Sequence, residues 1–588
     1  MPTVSVPRDV LFSQLEKTFT KQQFEDLCFD FGIELDEETT ESQLNTSAKS
    51  TVSGDSDAVI YRIEVPANRI DLLCVEGIAT ALRCFMYNTE PTPCFSALSP
   101  ATFEIIVDQS TSTVRPFIVA AILPNVTLTN ETYKSFIDLQ DKLHQNYCRR
   151  RTLVAIGTHD LDTIQGPLTY TTDSVDDINF APLNGSEVKC ARNVLNEFSQ
   201  PGHYLRPYVS IINDWKRHPV IYDSQNTVLS LPPVINGNHS KITLNTRNIL
   251  IECTATDKTK AQDVLSCIVS MFSSLCDQKN GYIPVKVTYN EFSQITPQMD
   301  LRRMNVEVSD ISKMIGVEIS ADSAIALLKK MMLTAEKVSN STVSVSIPPT
   351  RNDILHPCDI VEDAAVAYGF GKVPVSLPDI VTIGSELPSM ELVEYLRQSI
   401  SSFGFVEICT FTLMSVQDSS SFLGIEDNGV VVSNPKGSDF ERVRSSLIPG
   451  LLKTAGHNKG LARPLKLYEI GDVVTLSESD QNGAINQKRL AALYSSNTAG
   501  FEFIHGLLDR IAQWLDLGPY QFTLKAQELP YLIRGHQASI VLVNSETKDE
   551  VVVGELGSVA VDVVRNFDLA FPCSILELNL EVIMDLGL

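Results

Sequence analysis

Four carboxylates crowd one short stretch of this chain. Residues 347–374 read IPPTRNDILHPCDIVEDAAVAYGFGKVP, and Asp353, Asp359, Glu362 and Asp363 fall inside it. Four acids within reach of one another repel unless a cation or an arginine sits between them. Hard oxygen donors suit Mg²⁺ rather than zinc. A plainer account also fits. Acids near a helix N-terminus are favoured by the helix dipole, by roughly 0.3–1 kcal/mol each, and the rest can be a solvated acidic face. The residues alone leave both accounts open.

The elements that would position these acids can be read from the same stretch. A helix is expected over 357–368. Pro357 suits its first turn, Ile360, Val361, Ala364, Ala365 and Tyr368 form an apolar stripe, and Gly369 ends it. Asp359, Glu362 and Asp363 then share one face at i, i+3 and i+4, with Asp353 on the loop before it. The loop has an echo. VPANRIDLL (65–73) and IPPTRNDIL (347–355) share Pro-x-x-Arg-x-Asp, and each follows an alternating strand and precedes a helix. Two related subdomains are expected, with the Arg–Asp pair bonding across each turn. The first copy carries Asp71 but has Gly77, Thr80 and Ala81 where the second has its three helical acids. The acids are therefore an addition to the scaffold.

The whole chain has 588 residues, too many for one core, and 43% hydrophobic residues, as in a globular protein. Its net charge of −25 opposes nonspecific binding to nucleic acid or anionic membrane. Twelve cysteines without a CxxC pair fit a reduced, intracellular protein. No secretory leader and no membrane-spanning run are expected. The fold class expected is α+β in several domains. A helical pattern runs over 11–31, a strand over AVIYRIEV, and a helix from Leu72. A proline-rich linker is expected over 88–100. Strands are expected at TFEIIVD, FIVAAIL, PVIYD, KITLN and NILIECTAT, then a helix over 261–275, a compact unit over 292–376, and strands such as RLAALYSS, ASIVLVN and EVVVGELG beyond.

The stretch PPTRNDILHPCDIVEDAAVAYGFGKVP closely resembles the β subunit of phenylalanyl-tRNA synthetases. LCFDFGIELDE and VPANRIDLLCVEGIATAL resemble that family's N-terminal domain. TLVAIGTHDLDTIQGPLTY and LSLPPVINGNHSKITLNTRNILIECTATD resemble its editing domain, and RSSLIPGLL, LYEIGDVV and GELGSV its C-terminal domain. The order and length look like the archaeal and eukaryotic cytosolic type, without the tRNA-binding domain appended in bacterial forms.

The resemblance implies four domains: an N-terminal α+β domain (1–90), a strand-rich editing domain (91–290), an α+β domain with the carboxylate cluster (291–376) and a class II synthetase-like antiparallel sheet domain (377–588). It implies Mg²⁺ on the matching acids Asp353, Asp359, Glu362 and Asp363. It implies a cytoplasmic heterotetramer of two α and two β subunits that attaches phenylalanine to tRNA(Phe) with ATP. A class II site clamps phosphates with an arginine in an Arg-x-Glu strand and another in a late motif. DFERVRSSLIPGLL, LKLYEIGDVV and SILELNLEVIMD supply neither, and no P-loop is present, so aminoacylation is expected on the α subunit.

The family also hydrolyses misacylated Tyr-tRNA in this subunit. An acceptor for the tyrosine phenol is then needed inside an apolar slot. Strand alternation puts Glu252 and Thr254 on one face, and they match the family's acid-x-Thr pair, where Asp is common in place of Glu252. Ser230 is a third candidate. A strand whose acid merely faces solvent is the plainer alternative. Arg149, Arg150 and Arg151 are candidates for tRNA phosphates, or else a solvated turn. His159, beside Asp160, is read as structural. The rival functions are a scaffold subunit that has lost editing and a standalone trans-editing or tRNA-binding protein.

Overall fold

A computed structural model describes residues 2–40, 43, 58–88, 95–378, 380, 382–515 and 517–586. Residues 89–94, the middle of the expected linker, lie outside these. The chain forms two compact units, Met1–Leu377 and Pro378–Leu588.

The first unit contains one supersecondary pattern twice. Near its start, β1 (Thr3–Pro7), α1 (Arg8–Leu15), α2 (Lys21–Phe31), β2 (Glu34–Thr40), β3 (Val59–Glu64) and α3 (Val75–Tyr87) follow in order. The helical pattern over 11–31 is thus two helices. Glu16 turns the chain in the left-handed region at φ 55°, and Thr20 with Gln23 forms a capping box that starts the second. The three strands pair antiparallel in the order β1-β3-β2.

Along the chain, the segment between the two copies forms an eleven-stranded sheet. Its elements are β4 (Phe103–Val107), β5 (Phe117–Leu123), α4 (Asn130–Gln145), β6 (Val154–Asp160), β7 (Leu168–Asp173), α5 (Ala191–Phe198), α6 (Arg206–Ile212), β8 (His218–Tyr222), β9 (Val228–Leu231), β10 (Ile235–Asn236), β11 (Ile249–Ala255), α7 (Lys258–Phe272) and β12 (Gly281–Thr288). The main path is β10-β9-β8-β7-β4-β12-β5-β11-β6, and two short strands pair with β12. β11 is buried on both faces. Ile249, Ile251 and Cys253 join the core that includes Leu139 of α4 and Leu265 of α7. Leu250 joins a second core with Ile118, Ala120, Ile122 and Tyr170. The sheet curls so that its two ends meet: the Asp160 amide donates to the Ser240 carbonyl at 2.8 Å. KITLN, expected as a strand, is not one. The Thr243 amide donates to Thr246 Oγ1 at 2.9 Å, so local turn chemistry overrides the short alternation.

The second copy comprises β13 (Arg302–Glu307), α8 (Val308–Ile315), α9 (Ala321–Lys330), β14 (Thr334–Lys337), β15 (Thr342–Ile347) and α10 (Pro357–Tyr368). Its sheet order, β13-β15-β14, repeats first-third-second. α9 packs on α3 and α10 on α2, so the two copies face each other. α10 has the bounds expected from the sequence. Pro357 occupies its first turn, Asp359 closes a capping box with His356, and Gly369 leaves it at φ 93°.

The second unit is built on a seven-stranded sheet. Its elements are α11 (Pro388–Ser402), β16 (Val406–Glu407), α12 (Ile448–His457), β17 (Leu465–Leu476), β18 (Ala484–Ser495), α13 (Phe501–Leu515), β19 (Tyr520–Lys525), β20 (Leu532–Asn544), β21 (Glu550–Val559) and β22 (Cys573–Asn579). The order is β16-β17-β18-β22-β21-β20-β19. Only the short β16 runs parallel to its neighbour. Alternation sends Leu490, Ala492, Leu576 and Leu578 toward α11 and α13, and Ala491, Leu493 and Ile575 toward α12. Among the described residues no helix is long and apolar enough to cross a membrane.

Candidate functional site

Glu252 is 2% exposed, in the middle of β11, opposite Ala120 on one side and Gly157 on the other. The solvent-facing alternative for this acid is therefore wrong. The hydroxyl of Ser230, on β9, donates to Glu252 Oε1 at 3.2 Å. His159 is wholly buried; its Nε2 lies 3.9 Å from the same oxygen, and its Nδ1 is 2.8 Å from Ser240 Oγ. Glu252 Oε2 and His159 Nε2 have no hydrogen-bond partner in the protein. Each buried polar atom left unpaired costs about 1–3 kcal/mol, so two such atoms on neighbouring side chains mark a place to receive a polar group. Gly157 makes room for the carboxylate, since a Cβ there would stand 2.1 Å from Glu252 Oε1.

His159, read from the sequence as structural, thus belongs with Glu252. The pairings Leu250↔His159 and Glu252↔Gly157 put His159 and Gly157 on the Glu252 face. Alternation in VAIGTHD carries that signal once the strand register is known. Cys253, the residue after Glu252, points to the opposite face. Burial, and then the Glu252 charge, push its thiol well above the ordinary range. It offers no thiolate nucleophile to the site.

Thr254 shares the Glu252 face, as the alternation predicts. Its hydroxyl accepts from Arg115 Nε at 3.1 Å, and its carbonyl from Arg115 Nη2 at 2.8 Å. Arg115 is completely buried and also donates to the Thr152 carbonyl. Burial lowers its pKa, opposed by Tyr170 and Glu252. Arg115 is not among the site residues expected from the sequence. A lone arginine two residues before the apolar strand FIVAAIL is the available signal.

The arginine triplet splits. Arg149, Arg150 and Arg151 all adopt positive φ, at 46°, 51° and 64°, in the turn between α4 and β6. Arg149 and Arg150 are exposed. Arg151 is not a free phosphate ligand: it stacks over the Tyr208 ring at 4.1 Å and donates to the Val234 carbonyl at 2.9 Å. Burial lowers its pKa.

The carboxylate cluster is divided among three tasks. Arg351, 1% exposed, lies with Nη2 2.8 Å from both Asp353 Oδ2 and Asp363 Oδ2. Its Nη1 donates to the Met331 carbonyl. Asp359 Oδ2 accepts the Leu355 and His356 amides, both at 2.8 Å, and so caps α10. Glu362 is exposed. Among the described residues no three His, Cys, Asp or Glu side chains gather to hold a metal. The arrangement does not fit a four-carboxylate Mg²⁺ site, because a buried guanidinium already stands between two of the four acids. The first copy repeats the motif: Arg69 donates to both oxygens of Asp71 at 2.9 and 2.8 Å. The turn-spanning Arg–Asp pair is thus present in both copies.

In the second unit several polar residues at the sheet are paired internally. Arg444 Nη1 donates to Glu469 Oε1 at 2.6 Å, and its Nε to the Asp472 carbonyl at 2.8 Å. Glu577 on β22 accepts from the Leu447 amide at 2.7 Å and from Arg489 Nη1 at 2.9 Å. Glu555 lies half-buried near Glu577 and accepts from the Tyr531 hydroxyl; burial first, then Glu577, raise its pKa to about 7.

Comparison with known proteins places these features in a family. Residues 1–88 match the phenylalanyl-tRNA synthetase β-subunit B1 domain, 123–269 the B3/4 domain, 304–370 the tRNA synthetase B5 domain, and 373–580 the phenylalanyl-tRNA synthetase β-chain CLM domain. The chain is 44% identical to the Homo sapiens phenylalanine–tRNA ligase β subunit, over 98% of this chain and 99% of the relative. It is 44% identical to the cytoplasmic β subunit of Arabidopsis thaliana, over 99% and 100%, and 40% identical to that of Saccharomyces cerevisiae, over the same shares. A crystal structure of an N-terminal fragment of the Pyrococcus horikoshii phenylalanyl-tRNA synthetase β subunit superposes with a TM-score of 0.56 at 28% identity, covering 62% of this chain and 99% of the fragment. With full-length relatives at this identity, the chain belongs to the phenylalanine–tRNA ligase β-subunit family.

Proposed function

We propose that this chain hydrolyses tRNA(Phe) misacylated with tyrosine, and that it supports tRNA binding and assembly with a catalytic α subunit in a cytoplasmic heterotetramer of two α and two β chains. The observation that carries the editing reading is that Glu252 Oε2 and His159 Nε2 are both buried without a partner, on side chains that approach within 3.9 Å through Glu252 Oε1. A tyrosine phenol donates one hydrogen bond, and Glu252 Oε2 can accept it. Phenylalanine would leave that acceptor unpaired, at about 1–3 kcal/mol. A synthetic pocket rejects an added hydroxyl only about a hundredfold, and a second site of this kind removes what passes. Ser230 and Gly157 hold the carboxylate in place, Ser240 fixes the His159 ring, and Arg115 holds Thr254. Water would attack the ester, at the far end of the amino acid from Glu252, oriented by the tRNA terminus and backbone donors.

ATP and phenylalanine would be activated on the α subunit, and the second unit here would be a class II-like core without the phosphate-clamping arginines. Support for this comes from Arg444, whose guanidinium is held by Glu469 of β17, and from Glu577 of β22, which accepts from the Leu447 amide and Arg489. Arg149 and Arg150 remain the proposed phosphate contacts. For Asp353, Asp359, Glu362 and Asp363 we derive no step through Mg²⁺.

The test is release of labelled tyrosine from preformed Tyr-tRNA by the complex. Wild type should exceed spontaneous hydrolysis, and Glu252→Ala should not, while phenylalanine charging persists. The rival scaffold reading draws on how closely Ser230 and Gly157 enclose Glu252. It is upheld if wild type is no faster than spontaneous hydrolysis.

A further inference from the structure

Away from the Glu252 site, the first unit has a cavity of about 320 Å³ between α5, the end of α6 and the start of β8, near the lower limit of small-molecule sites. Its floor is apolar, from Val175, Leu195 and Ile212. Its walls are unusually polar. The exposed amides of Asn196 and Asn213 face it, with the half-buried Trp215 indole and the exposed Lys216 ammonium. Arg192 stands at the rim, fixed by two hydrogen bonds to Asp176 at 2.5 and 2.7 Å. His218, 7% exposed, also lines it, and its Nδ1 has no hydrogen-bond partner. Burial lowers the pKa of this ring, opposed by a hydrogen bond to the Ile212 backbone.

We propose that this cavity holds a single unpaired nucleotide, with its base against Trp215 and the two asparagines and its phosphate toward Lys216. The chemistry selects this class. Carboxamides present a donor and an acceptor in one plane, which matches a base edge. Phosphate alone would use none of the acceptors. An indole face is a stacking platform that tolerates every base. Lys216 has no carboxylate within ion-pair distance among the described residues, so its charge is available to a phosphate. A peptide carboxylate would engage the cations but leave the amides and the indole unused. The nucleotide can arrive free or as part of an RNA strand, and the two sources are separable.

The chain has two tryptophans, Trp215 and Trp514. Trp514→Phe therefore leaves Trp215 as the only indole emitter. That variant of the full chain is titrated with AMP, adenosine, inorganic phosphate and a single-stranded RNA tetranucleotide. AMP or the tetranucleotide should change Trp215 emission saturably. Adenosine should bind about tenfold more weakly than AMP, and salt should weaken AMP but not adenosine. Phosphate alone should be silent. Asn213→Ala and Lys216→Ala, at exposed positions, should each weaken binding about tenfold with melting unchanged. A response to AMP alone assigns a free-nucleotide site, and a stronger response to RNA assigns a strand site. If neither AMP nor the tetranucleotide gives a saturable change, or if both substitutions leave it intact, the proposal is overturned.

Discussion

Arg351→Met tests which cation balances the crowded acids. The guanidinium is almost fully buried and sits 2.8 Å from both Asp353 and Asp363. Removing one partner of a buried pair leaves an uncompensated charge, at about 3–5 kcal/mol. Arg69 also acts on both acids through space, so the lower figure, about 3 kcal/mol, is expected. At about 2–4 °C per kcal/mol this is a loss of roughly 6–12 °C in Tm. The pH dependence follows from the two acids. Burial raises Asp363 above the ordinary carboxylate range, and its contribution is present at low pH and lost as pH rises through its folded pKa. Asp353 is lowered: burial opposes this, but the Arg351 hydrogen bond and charge prevail. Its contribution is present at neutral pH and lost as pH falls through its folded pKa. Without Arg351 both acids favour the protonated form. The deficit of the variant should therefore shrink between pH 7 and pH 5. Thermal melting of the full chain at both pH values, with Mg²⁺ and with EDTA, is the assay. A deficit under 1 kcal/mol, together with a wild-type Tm that falls in EDTA, would refute the argument and return the acids to Mg²⁺.

Other outcomes follow from the same geometry. Gly157→Ala should displace the Glu252 carboxylate, which a Cβ would meet at 2.1 Å, and slow Tyr-tRNA deacylation at least tenfold with phenylalanine charging nearly intact; equal deacylation rates would remove Glu252 from the site. The isolated chain should form no phenylalanyl adenylate in pyrophosphate exchange, and adding the α subunit should restore it; activity of the single chain would place the synthetic site here. Glu555, raised to about 7, contributes stability that is present below its unfolded pKa near 4.5 and lost as pH rises through about 7. Glu555→Gln should therefore gain Tm relative to wild type at pH 8 but not at pH 5, by an amount on the order of 3 kcal/mol, and a pH-independent difference would exclude Glu555 as the titrating group.

The local readings came from short-range physics, and the sequence contains it in full. Pro357, the stripe of Ile360, Val361 and Ala364, and Gly369 set α10 without help from elsewhere. The repeated Pro-x-x-Arg-x-Asp turns gave away the duplication, because each Arg–Asp pair closes over two residues. Alternation alone put Glu252 and Thr254 on one face. KITLN misled because a five-residue alternation is weaker than the Thr243–Thr246 turn inside it. What the sequence left undecided depends on partners far along the chain. Glu252 could face water or a pocket until the curled sheet brought Ser230, twenty-two residues earlier, and His159 of the next strand against it. The four acids looked like a ligand set because helical spacing groups Asp359, Glu362 and Asp363. Packing separated them: it turned Asp363 inward to Arg351, left Glu362 in solvent, and bound Asp359 to its own helix end. A side chain's neighbours along the helix or strand follow from its residue number. Which buried charge it meets follows only from strand register and from how the two copies pack, and these are properties of the tertiary structure.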